Sequence, residues 1–283
     1  MNDTDLISAF DEWMEDALAR LTDNSSQVFT AIQSGLEGLN SAILWVLNLA
    51  PFYVVAAVIG LLGWRLVGRR FGVLSAVALV VCQMMNLWPE TTATLALVIA
   101  ATLLALLLAI PMGILSGYVR GMNHFAEPLL DLLQTLPPYI YLLPGIALLG
   151  YGPATALVAT LIVAFPPAFR LAALGMRMAP VEYLELGMAT GMTRWQMFTK
   201  IRLPFALPSI MAGINQSLMM AFGMVVIAGI VGSGGLGQTI YDAIRKLDIA
   251  KSIDAALAIV ILTMILDRLS QSAGPSSPKG RKA

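Results

Sequence analysis

Apolar runs of about twenty residues recur along this chain, and their length constrains the fold more than any motif does. Roughly twenty apolar residues of helix are needed to cross the hydrocarbon core of a bilayer. Runs at 42–63, 71–88, 92–118, 132–150, 154–174, 207–231 and 253–270 meet that need. Hydrophobic residues make up 58% of the chain and charged residues 12%, the latter about half the share in an ordinary globular domain. Inside lipid every backbone N–H and C=O must find its partner within the structure, so runs of this length are helices. The expected architecture is an all-α, polytopic transmembrane bundle of about seven spans. The fourth run is interrupted by Pro137, Pro138 and Pro144.

Basic residues near membrane spans stay on the cytoplasmic side. Seven spans put the termini on opposite faces. If the hydrophilic stretch around Glu185 is inside, thirteen basic residues, from Arg65, Arg69 and Arg70 to Lys282, lie inside, and only Arg20, Arg245, Lys246 and Lys251 lie outside. The expectation is an external N-terminus and a cytoplasmic C-terminus. A formal net charge of +0 argues against a nucleic-acid partner. Residues 1–40 read as an acidic external tail, in which Leu6, Phe10, Trp13, Ala17 and Leu21 recur at helical steps. They predict an amphipathic helix, lying on the membrane or solvated on one side. Residues 272–283 read as a basic cytoplasmic tail. No basic segment precedes the first apolar run, so no cleavable signal peptide is expected. Cys82 is the single cysteine and can form no internal disulfide.

One stretch between the fifth and sixth runs is polar and basic. Pro180 suits a first helical turn, and Gly191 suits the left-handed residue that stops a helix. Thr193 with Gln196 three residues on forms a capping box for a second helix. That helix carries Trp195, Phe198 and Ile201 on one face and is expected to end at Pro204. Two short helices joined at a glycine make a compact knob over residues 180–204.

The spacing Glu185, Gly191, Ile201, Leu203-Pro204 resembles the E-A-A-x3-G-x9-I-x-L-P pattern of permease subunits of ATP-binding-cassette importers. The segments LLQTLPPYIYLLPGIALLGYG (132–152), LPFALPSIMAGINQSLMMAFGMVVIAGIVGSGGLGQ (203–238) and AIVILTMILDRLSQ (258–271) are similar to the glycine betaine, proline betaine and choline branch. The resemblance covers about residues 91–271 and implies a type I importer core of five spans, with two accessory spans over 41–90. It assigns Glu185, Gly191, Thr193, Trp195, Phe198, Ile201, Leu203 and Pro204 to a cytoplasmic coupling loop. It further implies two permease copies in the lipid membrane, a pair of ATPase subunits that hold the ATP and Mg, and an external substrate-binding protein. Leu186 and Gly187 stand where the family usually has alanines, and an interior glycine weakens a helix by about 0.5–1 kcal/mol.

Prolines and amides inside the runs mark candidate pathway positions, because a bilayer tolerates a broken helix only where protein or a water-filled cavity satisfies it. Pro111, Pro137-Pro138 with Pro144, and Pro166-Pro167 fall in three successive runs. Asn215, Gln216 and Ser217 form a polar step in the sixth. Tyr139, Tyr141, Tyr151, Phe165 and Phe222 offer ring faces to a methylated cation. For each of these, helix packing is the competing reading.

The segment GSGGLGQT (232–239) has the glycine spacing of a phosphate loop but carries Gln238 where such a loop needs lysine. A tight turn after the sixth run explains it better. The single histidine, His124, is expected on a cytoplasmic turn, and no metal-ligand cluster or nucleophile–base pair is visible. The chain is therefore expected to be a transport subunit with no cofactor and no metal of its own. An ion-coupled secondary transporter is the rival, as is an importer permease for another small solute such as an amino acid. Ion coupling calls for ionisable residues inside the membrane, and Asp131, Asp254, Asp267 and Arg268 fall at run ends. A channel lacks its repeated filter segment.

Overall fold

A computed structural model describes residues 12–13 and 26–273, and every regular element among them is helical. The expected N-terminal amphipathic helix lies outside the described residues apart from Glu12 and Trp13, as does most of the basic C-terminal tail.

Helix α1 (Ser26–Asn48) starts well inside the segment read as a tail. It packs Leu36, Leu39 and Ile43 against the main apolar core. The first apolar run is not one helix. Pro51 sits in an extended conformation (φ −57°, ψ 154°) just before α2 (Phe52–Leu66), and the chain bends 92° there, because proline cannot continue the hydrogen-bond ladder of α1. After a turn at Gly68, α3 (Arg69–Met84) folds back along α2. A Cβ on Gly72 would stand 2.5 Å from the carbonyl oxygen of Gly60 and 2.7 Å from the Trp64 nitrogen, so this hairpin closes only on glycine. The 16 residues of α3 reach about 24 Å, short of the roughly 30 Å of hydrocarbon.

Three long helices form the centre. Helix α4 (Trp88–Tyr118) packs along α7 (Pro153–Arg177), and α7 packs along α10 (Leu203–Ile227). Small residues make this possible: Ala96, Ala100, Ala101, Ala105 and Ala109 of α4 are fully buried, and small side chains are what let helix backbones approach closely in membranes. Between α4 and α7 lie α5 (Arg120–Thr135), a 3-10 turn (Pro138–Tyr141) and α6 (Leu142–Leu149). The fourth run is thus two helices that meet at 102°, since Pro137 and Pro138 cannot extend α5. Pro111 and the Pro166-Pro167 pair, by contrast, lie within unbroken helices. Only one of the three expected interruptions breaks its helix. His124 lies within α5 and is exposed, not on a turn.

After α7 come the short helices α8 (Val181–Ala189) and α9 (Arg194–Met197), and after α10 come α11 (Gly235–Lys246) and α12 (Ile249–Ala273). Among the described residues, four helical stretches are long and apolar enough to cross a membrane: Trp88–Tyr118, Pro153–Arg177, Arg194–Val231 and Ile249–Ser272. Counting each bent pair as one span raises the number to six, against the seven expected. The second run falls short by the length of α3.

Candidate functional site

The knob between α7 and α10 is built from local signals. Pro180 directly precedes α8. At the other end Gly191 has φ +73°, its N–H donates to the Met188 carbonyl at 3.1 Å, and the Met192 N–H donates to the Gly187 carbonyl at 2.9 Å. These two bonds satisfy carbonyls that the end of α8 would otherwise leave open. The next helix begins on a complete capping box. The Gln196 N–H donates to Thr193 Oγ1 at 3.3 Å, and the Thr193 N–H donates to Gln196 Oε1 at 2.9 Å.

Pro204 does not end that helix. A π turn over Phe198–Arg202 follows α9 and leads directly into α10, so helix runs from Arg194 to Val231. The Leu203 N–H bonds five residues back, to the Phe198 carbonyl. Local π adjustment of this kind is one way a membrane helix re-satisfies the backbone groups that a proline leaves open. The knob is therefore continuous with a membrane helix.

Its anchoring is tertiary. Ile201 is buried, while Phe198 and Leu203 pack against Ala172, Met176, Ala206 and Ile210 of α7 and α10. The Phe198 ring lies 6.2 Å from that of Tyr118 at the end of α4, and the Tyr183 ring lies 5.2 Å from that of Phe205. The Arg202 guanidinium sits 4.7 Å above the Tyr118 ring and donates to the Met176 carbonyl at 3.5 Å. Gly187, the departure from alanine, is buried where the Met197 side chain crosses α8. A Cβ there would meet Met197 Cε at 2.6 Å and Ile201 Cδ1 at 3.1 Å, so the glycine trades helix stability for closer contact between the two knob helices. Facing outward, Tyr183, Glu185, Leu186, Met188 and Trp195 are exposed. A cluster of large exposed apolar groups of this kind marks an interaction surface. Trp195, Phe198 and Ile201 thus run from that outer surface to the core.

The candidate pathway residues do not share one surface. Phe222 is buried in the main core, and Phe165 stacks near Phe169 at 5.8 Å. Tyr141 donates its hydroxyl to the Leu133 carbonyl at 2.8 Å, bracing the bend after α5, while Tyr139 and Tyr151 are exposed. Asn215 and Gln216, with Ser270, Gln271 and Leu171, line an open cleft of about 540 Å³ between α7, α10 and α12. Asn215 Oδ1 there accepts a hydrogen bond from Ser270 Oγ.

The glycine segment after α10 makes a tight turn. Gly232, Gly234 and Gly235 all have φ between +73° and +80°. Gln238, in the place of a phosphate-loop lysine, accepts the Gly234 N–H through Oε1 at 2.8 Å. The Leu236 N–H donates to Thr94 Oγ1 at 2.7 Å, which ties the turn to α4. A Cβ on Gly229 would lie 2.2 Å from the Gly237 carbonyl carbon. The bonds at Thr94, Tyr118 and Arg202 join residues distant along the chain, and no local pattern marks them.

The structure is thus a membrane bundle carrying an exposed knob that packs against three of its long helices. Residues 109–275 match the family described as binding-protein-dependent transport system inner membrane component. The chain is 36% identical to the glycine betaine/carnitine transport permease protein GbuB of Listeria monocytogenes serotype 1/2a (strain 10403S), over 86% of this chain and 88% of that one. It is 35% identical to the glycine betaine/proline betaine transport system permease protein ProW of Escherichia coli (strain K12), over 94% of this chain and 75% of that one. A subunit of the MetNI methionine ABC transporter, solved facing inward, superposes with a TM-score of 0.59 at 22% identity, over 68% of this chain and 98% of that one, which shows a shared fold. The chain belongs to this family of multi-pass inner-membrane permease components, and it is a transport subunit of a binding-protein-dependent system.

Proposed function

We propose that this chain is the permease of an ATP-driven importer of methylated-amine solutes such as glycine betaine, proline betaine or choline. Two copies line one pathway, a pair of separate ATPase subunits carries the ATP and Mg, and an external binding protein delivers the solute. The observation that carries the coupling role is the knob, with its apolar outer face exposed and its inner face fastened to α4, α7 and α10. A push on such a knob from an ATPase is transmitted to the bundle because the helix from Arg194 to Val231 is unbroken. Glu185, Gly191, Thr193, Trp195, Phe198, Ile201, Leu203 and Pro204 shape or present this surface. The knob end is cytoplasmic and the turn at Gly232–Gln238 external, an orientation supported by the distribution of basic residues.

The substrate class is supported by relatives named for betaines and carnitine. Chemistry agrees: a charge spread under methyl groups costs less to strip of water than a bare ammonium. Competition uptake with the reconstituted complex tests it. Import of a labelled betaine should be suppressed by excess unlabelled betaine or choline and unaffected by inorganic ions. Import of methionine in its place, with betaine ignored, would move the chain to another solute class.

A further inference from the structure

Charged side chains that lie far apart in the sequence meet between α5 and α7. Asn123, Glu127, Asp131 and Gln134 recur at steps of four, four and three and so share one face of α5. Facing them, Arg170 of α7 pairs with Asp131 and donates through Nη1 to Gln134 Oε1 at 2.6 Å. Further along α7, Arg177 Nη2 donates to the Ser116 carbonyl at 3.1 Å. Ser116 Oγ donates to Asn123 Oδ1 at 3.2 Å, and the Asn123 amide donates to Glu127 Oε1. An open cleft of about 330 Å³ follows these residues. The other side of α5 is apolar, with Phe125, Leu129 and Leu132 all exposed.

Arg170 stands seven residues inside Arg177 on a membrane-crossing helix, about 10 Å deeper along its axis. Ionisable groups at such depth almost always face the bundle interior or a water-filled cavity and not lipid. The side chains of Arg170 and Asp131 are 37% and 66% exposed, so this protomer does not enclose them. Water in the pathway is the medium that meets both conditions.

We infer that the polar face of α5, with Arg170 and Arg177 opposite, walls a water-filled exit track from the knob end of the bundle inward to the Arg170–Asp131 pair. The track carries solute on its way out of the pathway, and it is distinct from the cleft lined by Asn215 and Gln216. Two carboxylates, Glu127 and Asp131, face two guanidiniums, Arg170 and Arg177, so the wall has no excess of either sign. The inference rests on the proposed orientation, in which the knob end is cytoplasmic.

Cysteine reactivity in the full reconstituted complex tests it. In a Cys82→Ala background, Glu127→Cys and Gln134→Cys should react with a charged, membrane-impermeant thiol reagent applied from the cytoplasmic side. Phe125→Cys and Leu129→Cys should react at least about ten-fold more slowly, because a thiol in apolar surroundings ionises less and the thiolate is the reactive form. Equal rates on the two faces of α5, or faster reaction at Leu129→Cys, would overturn the track. Reaction of the track positions from the external side alone would overturn it as a cytoplasmic exit. The assay needs no solute, so an error in the substrate class leaves its result unchanged and is read separately from competition uptake.

Discussion

Gly191 isolates the backbone contribution to coupling. Its φ of +73° places it in the left-handed region, and nothing lies within 4 Å of the point a Cβ would occupy. Substitution therefore costs conformational energy without a clash. An ordinary L-residue held there costs about 1–2 kcal/mol, asparagine tolerates the conformation, and a β-branched residue is a genuine outlier. The knob can relieve the strain only by giving up the two hydrogen bonds that end α8, each worth about 0.5–1.5 kcal/mol net. Every 1.4 kcal/mol is about a ten-fold change in the population of the docking geometry. The series Gly191→Asn, Gly191→Ala and Gly191→Val should thus show near-normal coupling, a loss of about ten-fold, and a larger loss. The readout is solute taken up per ATP hydrolysed by proteoliposomes holding the full complex, with insertion of the chain checked alongside. Val matching Asn would refute the argument, since it would mean that the left-handed turn does not shape the docking surface.

Three other predictions follow from particular residues. The chain purified free of its partner should neither bind ATP tightly nor hydrolyse it, because Gln238 caps its own turn at Gly234; hydrolysis by material free of any cassette subunit, checked by mass spectrometry, would contradict this. Thr94→Val should lower the thermal unfolding midpoint in detergent by leaving the buried Leu236 N–H without a partner, at a cost of about 1–3 kcal/mol, whereas Thr94→Ser should stay near the wild-type value; an unchanged midpoint for Val would mean that this bond does not hold the turn. A cysteine at Ser276 should react with an impermeant reagent from the cytoplasmic side and not from outside, because α10 and α12 return the chain to the knob side, where the excess of basic residues lies; labelling from outside would put the knob out of reach of a cytoplasmic ATPase.

The knob was legible because its signals are local. A glycine that ends α8, and Thr193 with Gln196 to start the next helix, act within a few residues of themselves, and the structure shows both. Pro204 misled for an instructive reason: proline forbids continuation of an α-helix, yet a π turn immediately before it removes the conflict, and α10 continues the same helix. The prolines of the apolar runs show the same ambiguity. Pro137 and Pro138 end α5, whereas Pro111 and the Pro166-Pro167 pair are carried inside helices packed on both sides.

Apolar run length and charge by themselves determined that this is a helical membrane protein, and the glycine stop at Gly191 with the capping box at Thr193 and Gln196 determined that it carries a two-helix knob. Both are consequences of the near neighbourhood of each residue and of the solvent around it. Which runs are straight, how the knob is fastened through Tyr118, Phe198 and Arg202, and that Arg170 meets Asp131 across a cleft were decided only by the tertiary structure. Those contacts join residues dozens of positions apart, and their energies depend on which helix faces which, a choice made by the close packing of small residues on α4, α7 and α10.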